Sequence, residues 1–225
     1  HHFFSCITCV DPAFESHVLQ HGLVLDKSYY YPIHADCFEA WGQRSLELLE
    51  NDPKVSVSGT YKFHKLCPSE EVSDDGSVLY CVSILDNQLV CEKIDAILEA
   101  LKGTSRKLKV KMHPGSFFSC DALEEKYGDR VTFYKECDLA DLQYSFGVIE
   151  NSTITIDFLC LNKPFVIYDS NEGYFSEYEN TLPWAKTAEE LKAAFQQVET
   201  ADFSLVRQKV LARELNGGCS TLWEA

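Results

Sequence analysis

Short apolar runs alternate with amphipathic stretches over the last two thirds of the chain. The run SVLYCVSIL (77–85) predicts a strand, and LVCEKIDAILEALKG (89–103) predicts an amphipathic helix that stops at a glycine. Further strands are predicted in KLKVKMHP (107–114), RVTFYKE (130–136), YSFGVIE (144–150) and PFVIYD (164–169). Further helices are predicted in CDALEEKYG (120–128), DLADLQ (138–143), STITIDFLCLN (152–162), AEELKAAFQQVE (188–199) and SLVRQKVLARELN (204–216).

This alternation predicts an α/β fold. Strands that alternate with helices form right-handed βαβ crossovers and a parallel sheet with helices on both faces. We therefore expect residues 77–225 to form a Rossmann-like domain with C-terminal helices. The stretch CPSEEVSDDG (67–76) clusters proline, serine, acids and glycine without apolar spacing, which predicts a linker.

Residues 1–66 do not contain enough elements for such a domain of their own. They hold three strand-like runs that each end in glycine, HVLQHG, DCFEAWG and KVSVSG, and a predicted helix, QRSLELLEND, between the last two. We expect the C-terminal part of a second α/β lobe, whose beginning is missing from this chain. Two α/β lobes joined by a linker form a ligand cleft at the carboxyl ends of their strands.

The charge and the cysteines narrow the function classes. A formal charge of −15 argues against nucleic-acid binding, which favours basic surfaces, and no apolar run has the length of a membrane span. The ten cysteines are scattered, mostly in apolar runs, which indicates buried thiols in a reducing cytoplasm. Cys6 and Cys9 form a CxxC pair without the further ligands of a zinc site, so we expect no metal and no cofactor.

A histidine ends the predicted strand KLKVKMHP. The strand delivers His113 to the carboxyl edge of the sheet, and Pro114 holds the backbone extended where the turn begins. Gly115 and Ser116 complete a tight turn, in which we expect a free N–H and a hydroxyl suited to an anionic group. The alternative is a turn histidine without a chemical role.

A cluster of hydroxyls and one amide follows the strand YSFGVIE. Asn151, Ser152 and Thr153 are favoured residue types for a helix N-cap, which needs no further function. A helix N-terminus with free hydroxyls at the carboxyl edge of a parallel sheet is also a phosphate site. In the first lobe, His21 ends the run HVLQHG, and an imidazole with a pKa of about 6.5 suits a general base near neutral pH.

The order of these motifs resembles a known enzyme group. LQHG, FEAWG, VSVSGT, KMHP and NSTITIDFLCLNKPFVIYD together resemble the nucleotide-sugar transferases of two-lobed GT-B architecture. The similarity is strongest to bacterial capsule and cell-wall polymer enzymes, among them CDP-glycerol glycerophosphotransferases, and to bacterial sialyltransferases and polysialyltransferases. It covers nearly the whole chain but only a late portion of such an enzyme.

The resemblance implies roles for particular residues. His113 and Pro114 match the His-Pro motif that contacts the donor phosphate or leaving group, and Ser152 and Thr153 match the Ser/Thr pair that holds the donor phosphate. His21 matches the first-lobe histidine, a candidate base. The resemblance implies an acceptor-side lobe in residues 1–66 and a nucleotide-sugar-binding lobe in residues 77–225.

The implied partners are a CMP-, CDP- or UDP-linked sugar donor and a carbohydrate acceptor, in the cytoplasm or at the inner face of the membrane. The donor base, the acceptor and the oligomeric state stay open. Two alternatives also stay open: a nucleotide-sugar epimerase of related fold, and a non-catalytic nucleotide- or carbohydrate-binding lobe.

Overall fold

The computed structural model describes residues 15–59, 74–83, 86–116, 120–150, 152–169, 173–178 and 181–215. The chain divides into two compact units. One comprises His1–Cys67 with Arg207–Ala225, and the other comprises Pro68–Val206. This division differs from the predicted lobe of residues 77–225 at its C-terminal end, because the final residues cluster with the first unit.

The first unit contains a small parallel sheet. Its strands are β1 (His17–Leu19), β2 (Cys37–Ala40) and β3 (Val55–Val57), and helix α1 (Gln43–Leu48) joins β2 to β3. The strands lie in the order β1-β2-β3 and all pairs are parallel. A compact apolar core supports the sheet, and it comprises Val24, Ile33, Ala35, Phe38, Ala40, Leu49 and Val55.

The second unit contains a larger parallel sheet. Its strands are β4 (Val78–Cys81), β5 (Leu108–Lys111), β6 (Val131–Tyr134), β7 (Phe146–Ile149), β8 (Phe165–Tyr168) and β9 (Trp184–Ala185). They lie in the order β6-β5-β4-β7-β8-β9, and every pair is parallel. The α-helices of this part of the chain are α2 (Asn87–Ala100), α3 (Cys120–Tyr127), α4 (Ile154–Cys160), α5 (Ala188–Thr200) and α6 (Phe203–Glu214).

The predicted α/β class with a Rossmann-like parallel sheet is therefore confirmed. Among the described residues, four short 3-10 helices cover Lys27–Tyr29, Gly128–Arg130, Leu139–Asp141 and Ser176–Tyr178. The predicted helix DLADLQ is one of these single 3-10 turns, and the two-residue strand β9 was not predicted.

Helix α2 shows how the sequence sets these elements. Its N-cap residue is Asp86, whose carboxylate accepts the N–H groups of Gln88 and Leu89 at 2.9 and 3.1 Å. Val90, Ile94 and Ile97 are fully buried and recur at helical spacing, so one face of the helix packs into the core. The chain leaves the helix at Gly103, whose φ of 82° favours glycine.

Helix α4 packs very closely on β7. A Cβ atom at Gly147 would lie 2.2 Å from Cε1 of Phe158, a fully buried ring on α4. Only the missing side chain of Gly147 allows this approach, and a glycine inside a strand is the sequence signal for it. The close packing fixes the helix that begins just after the predicted hydroxyl motif.

The C-terminal turn of α6 meets the start of α1 within the first unit. A Cβ atom at Gly42 would lie 2.4 Å from the carbonyl oxygen of Glu214. The Arg213 guanidinium pairs with Glu47 at 3.0 Å, and Arg44 lies 3.5 Å from the buried Glu214 carboxylate. These contacts explain why the final residues belong to the first unit.

The cysteine prediction holds in part. Cys81 and Cys160 are buried, as predicted, while Cys37, Cys91, Cys120 and Cys137 are partly exposed. Cys6 and Cys9 lie outside the described residues.

Candidate functional site

The order of the strands creates a crevice at one edge of the larger sheet. From β4 the chain moves outward through β5 and β6, then returns to the other side of β4 to form β7. Neighbouring strands whose connections leave in opposite directions open a crevice at their carboxyl ends, where ligands of open α/β sheets bind. The loops after β4, β5 and β7 border this crevice in the second unit.

His113 lies in a tight turn two residues after β5. The Gly115 N–H donates to Nδ1 of His113 at 3.0 Å, and the Ser116 N–H donates to the His113 carbonyl oxygen at 2.8 Å. Because Nδ1 accepts a hydrogen bond, the neutral ring carries its proton on Nε2. The residue is exposed, so Nε2–H is an available donor at the carboxyl edge.

The expectation of a free N–H in this turn is wrong. Both N–H groups that follow Pro114 donate inside the turn, and Ser116 is buried with 6% of its surface exposed. A tight turn closes its own hydrogen bonds before it offers donors to a ligand. The turn therefore presents the imidazole, while the Gly115 and Ser116 backbone orients it.

Ser152 and Thr153 lie at the start of α4, beyond the carboxyl end of β7, and both are partly exposed. Thr153 occupies the N-cap position with helical angles, φ −54° and ψ −27°, and its side chain makes no capping hydrogen bond. An N-cap residue normally has extended angles that bring its oxygen onto the first turn. Side-chain capping by Thr153 is therefore not observed. Asn151 lies outside the described residues.

Glu150, the residue after β7, is buried beside this hydroxyl pair and was not recognised as a site residue from the sequence. Its carboxylate accepts hydrogen bonds from the hydroxyls of Tyr80, at 3.0 Å, and Ser83. Lys93 on α2 lies 3.1 Å away as the counter-ion. Burial raises the pKa of Glu150 above its usual range, while Lys93 and Tyr80 act in the opposite direction.

His21 lies in the first unit, two residues after β1, and is exposed. The neighbouring Gln20 is buried and fixes the backbone beside it. Its amide accepts the Trp41 N–H at 2.8 Å and donates to the Gly22 carbonyl at 2.8 Å, and the Trp41 indole N–H donates to the Gln20 carbonyl at 2.7 Å. The loops after β1 and β2 are thus joined at the carboxyl edge of the smaller sheet.

The structure brings part of the predicted set to one edge. His113, Ser152 and Thr153 share the carboxyl edge of the larger sheet, on loops that flank β4, whereas His21 lies at the corresponding edge of the smaller sheet. In the described part of the chain, no group of three or more His, Cys, Asp or Glu side chains has an arrangement that holds a metal ion. None of the described helices combines the length and apolar character of a membrane span.

Comparisons with known proteins identify the fold. Neither a protein-family model nor a curated protein matches the sequence. The structure of TarM matches with a TM-score of 0.58 and 13% identity, over 92% of this chain and 48% of TarM. The pneumococcal O-GlcNAc transferase GtfA, in complex with UDP and GlcNAc, matches with a TM-score of 0.53 and 14% identity, over 86% of this chain and 51% of GtfA.

An epimerase matches equally well. The UDP-GlcNAc 2-epimerase of Methanocaldococcus jannaschii, in complex with UDP-GlcNAc and UDP, has a TM-score of 0.60 and 13% identity, over 89% of this chain and 73% of the epimerase. In contrast, the chain spans only about half the length of TarM and of GtfA. At these identities the likeness shows the fold alone. The chain has the α/β fold that GT-B glycosyltransferases share with UDP-GlcNAc 2-epimerases.

Proposed function

We propose that this chain is the nucleotide-binding part of a glycosyltransferase, or of a related glycerophosphate-type transferase. It moves a sugar from a CMP-, CDP- or UDP-linked donor to a surface polysaccharide, an oligosaccharide or a related carbohydrate acceptor. In this proposal residues 77–206 bind the donor, and residues 1–66 contribute to the acceptor side.

One observation carries the proposal. An exposed imidazole donor, His113 Nε2–H, and the hydroxyls of Ser152 and Thr153 flank the crevice at the carboxyl ends of β4 and β7. Solved structures with the same fold contain UDP or UDP-GlcNAc. Neutral hydrogen-bond donors aimed at an anion are the groups that a phosphate-linked ligand requires.

The proposed chemistry follows from these donors. An acceptor hydroxyl oxygen attacks the anomeric carbon of the donor sugar, and the bond from that carbon to the phosphate oxygen breaks, so that the electron pair leaves with the nucleotide. His113 and the two hydroxyls stabilise the charge that grows on the leaving phosphate. His21 takes the proton of the acceptor hydroxyl as general base. The proposed reaction uses these donors instead of a metal ion.

The test is turnover with defined donors. Purified protein is incubated with UDP-GlcNAc, and in parallel with CMP- and CDP-linked donors, with and without oligosaccharide acceptors, in the presence of EDTA. Nucleotide release that depends on the acceptor supports the transferase. No release and no nucleotide binding by calorimetry would refute the proposal.

The variant that tests the site is His113→Ala. We expect turnover to fall by about two orders of magnitude or more, because a contact to the leaving group is lost from an exposed strand end. The melting temperature should not change. The matched control is His17→Ala, another exposed histidine, on β1 of the first unit, and it should retain full turnover. If His113→Ala also retained full turnover, His113 would be a turn residue without a role in the reaction.

An epimerase is the second candidate, because the match to the Methanocaldococcus jannaschii enzyme covers a larger share of the known protein than the match to TarM. An epimerase uses the same phosphate contacts but needs no acceptor. Inversion of the sugar at one carbon in acceptor-free samples, followed by NMR of the UDP-sugar, would favour this candidate. Nucleotide binding without either reaction would indicate a non-catalytic binding lobe.

A further inference from the structure

The carboxylate of Glu150 is one of the most completely enclosed charges in the described part of the second unit, with 3% of the residue exposed. Its Oε1 accepts from the Tyr80 hydroxyl at 3.0 Å and lies 3.1 Å from the Lys93 ammonium, and its Oε2 accepts from the Ser83 hydroxyl. Tyr80 belongs to β4, Ser83 to the loop after it, and Lys93 to α2.

Lys93 extends this connection to a third strand. Its ammonium donates to the carbonyl oxygen of Tyr168 at 2.7 Å and lies 4.5 Å from the centre of the Tyr168 ring. Tyr168 is the last residue of β8. Through Tyr80, Ser83 and Lys93, the Glu150 carboxylate therefore connects the carboxyl ends of β4, β7 and β8, three neighbouring strands at the crevice.

Stability alone does not account for this buried ion pair. The removal of two charges from water carries a large desolvation cost, and a buried pair is often no more stabilising than apolar residues of the same volume. The carboxylate also has three donors for its two oxygens, so it does not need a ligand to satisfy it. What the cluster does supply is a fixed position for the backbone of Glu150, two residues before Ser152.

We propose that Glu150 and Lys93 form a clamp of positioning residues that fixes the backbone at the carboxyl end of β7, so that the hydroxyls of Ser152 and Thr153 meet the donor phosphate in a preformed arrangement. The ligand named here rests on the proposed function, whereas the clamp itself does not. A preformed arrangement of the two hydroxyls avoids the entropy cost of ordering them when the nucleotide binds.

The test compares Lys93→Met with Lys102→Met as a matched control, since Lys102 pairs with Glu99 on the surface near the end of α2. The first measurement, amide hydrogen exchange over residues 149–156, needs no ligand. We expect Lys93→Met to raise the exchange rate of this segment about tenfold or more relative to wild type, because the clamp no longer holds β7 to β4 and β8. Lys102→Met should leave it unchanged.

The second measurement is the UDP dissociation constant, expressed as the ratio of variant to wild type at each pH because the phosphate of UDP itself titrates. The charged and titratable groups that act on Glu150 are Lys93 of α2, Tyr80 of β4 and Asp169 after β8. Without Lys93 the carboxylate is an unpaired buried anion above its raised pKa and a neutral acid below it. The ratio should therefore be about tenfold or more near pH 8 and smaller near pH 5.5.

Two further variants separate positioning from general damage. Lys93→Met combined with Glu150→Gln removes the titrating group, so the ratio should lose its pH dependence. Lys93→Arg keeps the positive charge and should recover most of the affinity. If Lys93→Met does not fold, the same two measurements are made on Glu150→Gln, which keeps the volume and the hydrogen-bonding groups of the side chain. We expect this variant to bind UDP more weakly than wild type at all pH values.

The outcomes distinguish the clamp from the proposed function. If wild type binds none of UDP, CDP and CMP, the proposed function fails, and the exchange of residues 149–156 alone decides on the clamp. If Lys93→Met leaves both the exchange and the UDP ratio within about twofold of wild type, the clamp is overturned. Faster exchange with an unchanged UDP ratio would overturn its positioning role for the phosphate site.

Discussion

The glycine in the middle of β7 gives the sharpest test of the packing around the candidate site. In Gly147→Ala, the new Cβ atom would lie 2.2 Å from Cε1 and 2.3 Å from Cζ of Phe158. Unbonded carbon atoms pack at about 3.5–4.0 Å, so the ring has to retreat by more than about 1 Å. The rings of Tyr144 and Phe165 enclose Phe158, with centroids at 5.6 and 5.8 Å, and restrict this movement.

The expected cost follows from this enclosure. Overpacking of a well-packed core lowers the free energy of unfolding by about 1–3 kcal/mol. Because the Phe158 ring is held between two other rings, we expect a loss of about 3 kcal/mol. For a protein of this size, each kcal/mol lowers the melting temperature by about 2–4 °C, so we expect a decrease of about 6–12 °C. Gly147 does not have a positive φ, so the backbone tolerates an L side chain and the loss arises from the contact with Phe158.

The assay is urea unfolding of wild type, Gly147→Ala, Phe158→Leu and the double variant. Leucine at position 158 removes the atoms that the new methyl group meets, so the double variant should be more stable than the sum of the two single changes indicates, by about 1 kcal/mol or more. If the free energy of unfolding of Gly147→Ala lies within about 0.5 kcal/mol of wild type, the packing argument is refuted, because only substitutions on the surface usually have so small an effect.

Three further predictions test other parts of the molecule. Ser152→Ala and Thr153→Ala, made separately, should each weaken nucleotide binding by roughly ten- to a hundredfold in calorimetry, while Thr153→Ala keeps its melting temperature because its side chain makes no capping bond. Burial raises the pKa of Cys81, so above the usual thiol pKa of about 8.5 only the unfolded chain ionises this thiol, and Cys81 contributes a fall of about 1.4 kcal/mol per pH unit to the free energy of unfolding. In urea titrations at several pH values the alkaline slope of Cys81→Ala should be shallower by this amount, while below about pH 7 the slopes of the variant and of wild type should agree. Gly42→Ala places a methyl group against a backbone carbonyl that cannot rotate away, so it should lower the free energy of unfolding by about 1–3 kcal/mol, and an unchanged urea midpoint would contradict the contact with α6.

The strand positions were predictable because local patterns determine them. β4 and β7 are buried at every position, and such strands are continuous apolar runs that stand out from the sequence. β9 was not predictable. It consists of Trp184 and Ala185 only, and it exists because these residues pair with the end of β8, a tertiary contact without a local signal. The 3-10 turn at Leu139–Asp141 is likewise too short for a periodic pattern.

The candidate site was predictable where covalent geometry fixes it. A predicted strand followed by His113 and Pro114 sets the imidazole at the strand end, and the structure has it there. The hydrogen bond from the Gly115 N–H to the His113 ring was missed, because it depends on the ring rotamer of His113. The role of Glu150 was missed because its partner Tyr80 lies 70 residues away, although an acid directly after a fully apolar strand is a usable signal of a paired carboxylate.

The interleaving of the two units along the chain has a consequence for biosynthesis. All of Pro68–Val206 emerges from the ribosome as one continuous segment whose neighbouring strands are linked by successive crossovers, so this unit can fold while synthesis continues. The contact between Glu47 and Arg213 spans 166 positions, and it forms only after helix α6 has been made. Contacts of such long separation form late. The smaller sheet and the His21 loop therefore wait for helix α6, so the first unit is completed only after all of Pro68–Val206 has been made.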